Sequence, residues 1–325
     1  MPQNNPTDFP KVTMGLTCFN ASDTIPKAIA SAAAQDYPNF EILIVDDCSK
    51  DNSIEVIKEA IKNIPQARLI AHEKNTGFAG ALNTIITEAA GEFIAIFDDD
   101  DYSLPERLKT QVKRITDYEA KTGQKLLACW GSGYKLYDNG YKAPFAAIGS
   151  RERVPVGEDL IRCQLYMGRD PEVFFGCGTP SCSLMVRKST YEEVGLYDTT
   201  MRRTEDTDFA LRLARKGGHF IGCPEEIVVQ TASVGHDKRP EVQYQSELNL
   251  IEKHRDLFKP ARRYNYARDW IRLRYHHFGQ ERFKSILTLI RLLAKYPKWT
   301  WEQFWRSAPK RLAHEKRMRL PQGPA

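Results

Sequence analysis

A chain of 325 residues with 42% hydrophobic and 27% charged residues has the size and composition of one α/β core with an appendage, and excludes disordered, fibrous and repeat classes. Seven scattered cysteines without a paired C-x-x-C spacing exclude a structural zinc site and point to reduced cytosolic thiols; the start MPQNNPTDFP lacks signal-peptide regions and no stretch of about 18 apolar residues offers a membrane span, so a cytoplasmic location is expected. The net charge of +5 hides a division, because residues 252–325 hold 19 Lys and Arg against 6 Asp and Glu, +13, which leaves −8 for the remainder.

From Lys11, KVTMGLT reads as a buried strand, and residues 21–35 as a helix with Ser22 and Asp23 available to cap it. FEILIVDD is a second strand, residues 51–63 repeat apolar positions at Ile54, Ile57 and Ile61 as a helix does, and RLIAH is a third strand. This alternation implies right-handed crossovers and a parallel sheet. After the turn KNTGFAG, a helix over residues 81–90 leads to EFIAIF, a strand that runs straight into four aspartates. The carboxyl ends of such strands form a binding crevice, so residues 17–20, Asp46, Asp47 and residues 98–101 are expected to line one cleft. Pro105 falls in the first turn of a helix through ERLKTQVKRITDY, and residues 130–157 look irregular. SLMVR reads as a strand, Ser189 and Glu192 have capping-box spacing for a short helix ending at Gly195, and residues 206–216 form a helix stopped by Gly217 and Gly218.

Four carboxylates in FDDDD repel one another at the end of an apolar strand and call for a cation. Hard oxygen ligands favour magnesium or manganese, which take one or two carboxylates and leave other positions to phosphate oxygens and water. An acidic run alone is commonly a solvated turn or a cap for the next helix. This one keeps particular company: TCFN and IVDDCS at strand ends, KNTGFAGALN before it, and RRTEDTDFALRLARKGG downstream.

With those segments the chain resembles the family 2 glycosyltransferases over about residues 10–230. The resemblance implies the GT-A fold: a Rossmann-like α/β architecture whose mixed, mainly parallel sheet is flanked by helices. Residues 10–130 would form the nucleotide-sugar half, residues 131–255 the acceptor half, and residues 256–325 a basic helical extension. It implies inverting transfer from a nucleotide-diphospho-sugar, with uridine as the base, to a glycan or lipid-linked glycan in envelope or exopolysaccharide assembly.

Residue by residue, Thr17, Phe19 and Asn20 match the segment that meets the nucleotide, with Phe19 stacked on the base, and Asp47 matches the acid that reads the base. Asp46 serves equally well as a cap for the helix near Asp51. Asn75, Gly77 and Asn83 match N-x-G-x-x-x-A-R-N, with Leu82 where the family has Arg. In L-D-x-D-D-x-x-x-P the metal-binding acids match Asp98 and Asp100, with Asp100 the leading ligand of manganese or magnesium and Asp99 between them on the donor; Asp101 either caps the next helix or touches sugar hydroxyls. In E-D-x-D-x-x-L-R-L, Asp206 matches the base that deprotonates the acceptor hydroxyl, Glu205 orients that base or binds acceptor, and Asp208 pairs with Arg212 at i,i+4. Without the other motifs, Glu205 and Asp206 would be ordinary compensation of a helix dipole. His236 is a candidate late ligand to metal or diphosphate, with Lys238 and Arg239 as phosphate contacts, while Cys177 and Cys182 are expected to pack.

The tail interleaves cations with Trp270, Trp299, Trp301 and Trp305, and Ile286, Leu289, Ile290 and Leu293 form a stripe. That pattern suits helices in the headgroup layer of an anionic membrane; the competing reading packs the stripe on the core. Nucleic acid is not expected as a partner, since no zinc finger, helix-turn-helix spacing or RNP motif accompanies the charge. The alternative to an enzyme is a non-catalytic nucleotide-sugar-binding or scaffolding module, with Leu82 marking a degraded donor site.

Overall fold

The computed structural model describes residues 9–151, 153–232 and 239–318. Its first half is four apolar strands, β1 (Val12–Cys18), β2 (Phe40–Asp46), β3 (Ala67–Ala71) and β4 (Phe93–Phe97), joined by helices α1 (Ile25–Ala33), α2 (Ser53–Ile61) and α3 (Phe78–Glu88). They pair in parallel in the order β3-β2-β1-β4, with Val12 opposite both Phe40 and Phe93. Every residue of β1 and β4 is buried, as expected of strands covered on both faces. Successive side chains point to opposite faces: Leu43, Val45, Ile94 and Ile96 pack with Leu82 and Ile85 of α3, while Met14, Leu16, Ile42 and Ile44 pack with Ile25 and Ile29 of α1. Helix α1 starts later than its sequence suggests, with Thr24 as N-cap and no side-chain cap, so Ser22 and Asp23 do not cap it.

The sheet continues through β5 (Tyr102–Ser103), β6 (Leu127–Leu136), β7 (Lys142–Phe145), β8 (Leu184–Arg187) and β9 (His219–Thr231), with helices α4 (Arg107–Thr122), α5 (Glu158–Gln164), α6 (Lys188–Val194) and α7 (Glu205–Arg215) around it. The full order is β3-β2-β1-β4-β8-β6-β9-β5, with β7 on β6; β8 runs antiparallel to β4 and β6, and β9 parallel to β6. Part of residues 130–157, expected to be irregular, is thus β6 and β7. Gly131 and Gly133 lie where the pairing needs close approach. A register shift at residues 131–133 brings β9 so close that a Cβ on Gly133 would lie 1.7 Å from the Val228 carbonyl oxygen. Helix α6 has Arg187 as its N-cap and no side-chain cap, so the Ser189 and Glu192 capping box does not form. Helix α7 opens at Glu205 behind Thr204.

Helices α8 (Pro240–Lys253), α9 (Arg262–Phe278), α10 (Arg282–Lys295) and α11 (Pro297–Met318) complete the described chain. Ala267 and Ile271 of α9 join the main core, and Tyr266 and Trp270 form a smaller core with Leu292 and Tyr296. Arg274 Nη1 donates to both Glu247 oxygens at 2.8 Å and to the Tyr166 hydroxyl at 2.7 Å. The α10 stripe divides between the two readings of the tail. Thr288 and Leu292 are buried and Leu289 is half-buried, while Phe283, Ile286, Ile290 and Leu293 are exposed, as are Trp301 and Trp305 of α11. No described helix is long and apolar enough to cross a membrane.

Gly133→Ala is expected to destabilise the fold by about 1–3 kcal/mol, because the neighbouring strand backbone must move; urea unfolding measures this, and an unchanged midpoint would contradict the close approach of β6 and β9.

Candidate active site

Three strand ends meet at one edge of the parallel half. At the end of β1, Thr17 is buried, the Phe19 ring is 48% exposed, and the Phe19 N–H donates to Asp99 Oδ2 at 3.3 Å. Asn20 takes a positive φ of 51°, and its Oδ1 accepts the Lys50 N–H at 2.7 Å while its own N–H donates to Ser49 Oγ at 2.9 Å. Its side chain therefore ties the first two strand-end loops together. At the end of β2, Asp46 accepts the Ser49 N–H and hydroxyl.

Asp47, also buried, is committed to the turn before α3. Its Oδ1 accepts the Thr76 N–H and hydroxyl at 2.8 Å each and stands 2.8 Å from His72 Nδ1; its Oδ2 accepts the Gly77 N–H at 2.7 Å. Asn75 Nδ2 donates to the Asp47 carbonyl at 3.0 Å. A carboxylate has about four lone-pair sites, so these contacts use most of its accepting capacity. Gly77 sits at φ 78°, a left-handed conformation that suits glycine. Asn83 forms a two-way amide clasp with the Tyr197 backbone, at 2.9 and 2.8 Å, that joins α3 to the second half. Leu82 is fully buried in the core.

The acidic run leaves β4 into a confined space. Ligand atoms of Asp98, Asp101 and Cys182 lie within 4.8 Å of one another, and Asp98 Oδ1 is buried without a hydrogen-bond partner. Burial, then repulsion from Asp101, Asp100, Asp99 and Glu205, holds the Asp98 carboxyl well above the usual range. Burial and Asp100 push Asp99 up to about 7 and Asp101 up to about 6. Asp101 Oδ1 accepts the Thr231 N–H at 2.8 Å, and it does not cap α4, whose N-cap is Glu106. Burial and the neighbouring acids also keep the Cys182 thiol protonated, with Gln230 Nε2 2.8 Å from its sulfur.

Sequence reasoning missed Arg107, the buried counter-charge. Its guanidinium donates to the Ile96 carbonyl at 2.8 Å, Ser103 Oγ at 2.9 Å and Gln111 Oε1 at 3.0 Å, and lies over the Phe97 ring at 4.2 Å. Burial lowers its pKa to about 10, against the pull of Cys182, Asp98 and Asp101. Arg107 and Gln111, polar residues one turn apart on α4, were the available signal.

Helix α7 brings Glu205 near enough to the acidic run for its charge to act on Asp98. Half-buried Asp206 accepts the Thr207 N–H at 2.5 Å and its hydroxyl at 3.1 Å. Burial raises Asp206 to about 6, with Thr207 and the positive charge of Arg203 opposing the rise. Arg203, another residue missed, is held by Gln243 of α8 at 3.4 Å. Asp208 pairs with Arg212 Nε at 2.9 Å, Lys253 Nζ at 2.8 Å and His254 Nε2 at 2.9 Å. Those contacts outweigh its burial and hold it well below the usual carboxylate range. His236 and Lys238 lie outside the described residues, and Arg239 is the N-cap of α8.

Residues 14–129 match the family described as Glycosyl transferase family 2. The chain is 29% identical over 223 residues to the putative glycosyltransferase EpsE of Bacillus subtilis, covering 67% of this chain and 72% of that one. It is 36% identical over 105 residues, 32% of this chain and 40% of the relative, to the UDP-Glc:alpha-D-GlcNAc-diphosphoundecaprenol beta-1,3-glucosyltransferase WfgD of Escherichia coli. The crystal structure of S. aureus TarS 1-349 in complex with UDP-GlcNAc superposes with a TM-score of 0.58 at 18% identity, covering 89% of this chain and 82% of that one. Residues 14–129 thus match glycosyltransferase family 2, and the chain shares the GT-A fold of the TarS structure.

Proposed function

We propose that the protein transfers a sugar, with inversion, from a UDP-linked donor to a glycan or lipid-linked glycan in envelope or exopolysaccharide assembly. The observation that supports this reading is the approach of two acidic sets, the run after β4 and the start of α7, where Glu205 is near enough for its charge to act on Asp98. The relatives support the substrate class, since WfgD is named for a UDP-linked donor and a diphosphoundecaprenol-linked acceptor, and the TarS structure holds UDP-GlcNAc.

In this mechanism Asp206 accepts the proton of an acceptor hydroxyl. The oxygen attacks the anomeric carbon, and the bond to the diphosphate breaks with its electron pair leaving on the nucleotide. Thr207 fixes the base through Oδ1, and Arg203 keeps enough of it ionised at neutral pH. Phe19 offers an exposed ring to the base, while Asp47, Asn75 and Asn83 shape the donor pocket by holding its turns. Leu82, where the family has Arg, is buried in the core.

The acid cluster fits manganese or magnesium. Asp98 Oδ1 lacks a partner, Asp101 lies beside it, Asp100 adds to their repulsion, and these oxygens suit a hard cation better than the protonated Cys182 thiol. Asp98, Asp100 and Asp101 would hold it, and the bound ion supplies positive charge for the departing diphosphate. The exposed apolar side chains of α10 and α11 among cations support attachment to an anionic membrane surface.

Asp206→Asn is expected to lower kcat for UDP release by about 10²-fold or more with donor binding retained; unchanged turnover would rule out this base. Because Asp206 acts deprotonated, kcat/KM should rise with pH through about 6, and Arg203→Met should move that limb to higher pH. The raised carboxyls of Asp99, about 7, and Asp101, about 6, stabilise the metal-free fold below their unfolded pKa and lose that contribution as pH rises through the folded values. Manganese should therefore raise Tm more at pH 7.5 than at pH 5, and an equal shift at both would count against the cluster as its site. In flotation with anionic liposomes, serine at Phe283, Ile286, Trp301 and Trp305 together should abolish binding; retention equal to the parent would contradict a membrane-facing surface. Truncation is a poorer test, because α9 contributes Ala267 and Ile271 to the core.

A further inference from the structure

A cavity of about 710 Å3 opens on the second half of the molecule, walled by β7, residues 169–177 and α11. Three guanidinium groups line it: Arg151, Arg169 and Arg306. Arg151 lies over the Phe174 ring at 4.1 Å and Arg169 over the Phe175 ring at 5.1 Å. Contact with a ring face holds a guanidinium through its π surface and leaves the in-plane N–H fork for an anion. Arg306 is steadied by Gln303 Oε1 at 3.1 Å. Asp170, the one carboxylate among the lining residues, accepts Arg153 Nη1 at 2.6 Å and is already matched. The wall therefore carries more positive charge than its own acid offsets, and an oxyanion with several oxygens relieves that imbalance through bidentate contacts.

The surroundings specify more than an anion. Trp301 and Trp305, one turn apart on α11, are 60% and 56% exposed, and Arg306 follows directly on the same helix. A cationic cavity whose wall helix also carries exposed indoles suits an amphiphile, with its charged head inside and its apolar chain along that helix. Cys177, in the cavity wall, is five residues before Cys182 of the acid cluster, a chain span of at most about 18 Å. A short glycan on a head held in this cavity reaches toward that cluster.

We propose that this cavity is an acceptor subsite, in which Arg151, Arg169 and Arg306 bind the diphosphate of a lipid-linked glycan. The assignment rests on the glycosyl-transfer reading and names its acceptor class. The C-terminal helices are then part of the substrate site, because Arg306 belongs to α11.

Calorimetric titration of the full-length protein with farnesyl diphosphate below its micellar concentration tests the subsite, with EDTA present so that the acid cluster holds no cation. Farnesyl diphosphate should bind, farnesol and inorganic pyrophosphate should each bind about tenfold more weakly or less, and UDP should not compete. Arg306→Gln and Arg169→Gln, both outside the core, should each weaken binding about tenfold or more, with manganese-supported donor binding unchanged. Variants that bind as tightly as the parent, pyrophosphate binding as tight as the lipid, or displacement by UDP would overturn the proposal. Loss of UDP release with lipid binding intact would instead strike the glycosyl-transfer reading.

Discussion

The molecule is organised around the difficulty of placing four aspartates at the end of a buried strand. β4 lies between β1 and β8 and is buried along its whole length, so the carboxylates that leave it meet protein before they meet water. Two carboxylates about 5 Å apart repel by about 3 kcal/mol even at an effective dielectric near 20, and burial adds to that. Arg107, the Phe19 and Thr231 N–H groups, and retained protons offset part of it. Those offsets also join the halves: Arg107 reaches Gln111, whose Nε2 donates to the Cys129 and Ser183 carbonyls, and Thr231 is the last residue of β9. Accommodating the acids thus positions β6, β8 and β9 around them.

The parallel half was legible because its strands are buried on both faces and read as apolar runs with amphipathic helices between them. β6 and β9 were not. In β6 the glycines that permit close approach look like breakers, and β9 is interrupted by exposed Glu225 and Glu226. The same limit applies at the site. Spacing located the acidic run and the pair at 205 and 206, but it assigned no part in the site to Arg107, Cys182 or Arg203. Nor does a motif position reveal which way its hydrogen bonds turn. Asp47 and Asn83 match the family's pattern, yet their side chains hold the 72–77 turn and the 197 loop, and only coordinates distinguish a group that shapes a pocket from one that fills it.

The C-terminal helices show how one sequence pattern can satisfy two demands. A stripe wide enough to pack on one side and face outward on the other looked like a choice between core and membrane. In the structure Leu292 packs with Tyr266 and Trp270, while Phe283 and Ile290 of the same helix are exposed. Some of the tail's cations serve inside the molecule, as Arg274 does with Glu247, and others line the cavity or surround the exposed apolar residues. Charge counted along a sequence cannot make that division, because it depends on which side of each helix meets the core.

The proposed active site joins the run after β4 to the start of α7. A manganese anomalous-scattering map of crystals grown with UDP tests it most directly. A single strong peak should lie against carboxylate oxygens of Asp98, Asp100 or Asp101, with UDP beside it and Asp206 facing the donor. A peak bound elsewhere, or UDP seated away from these residues, would contradict it.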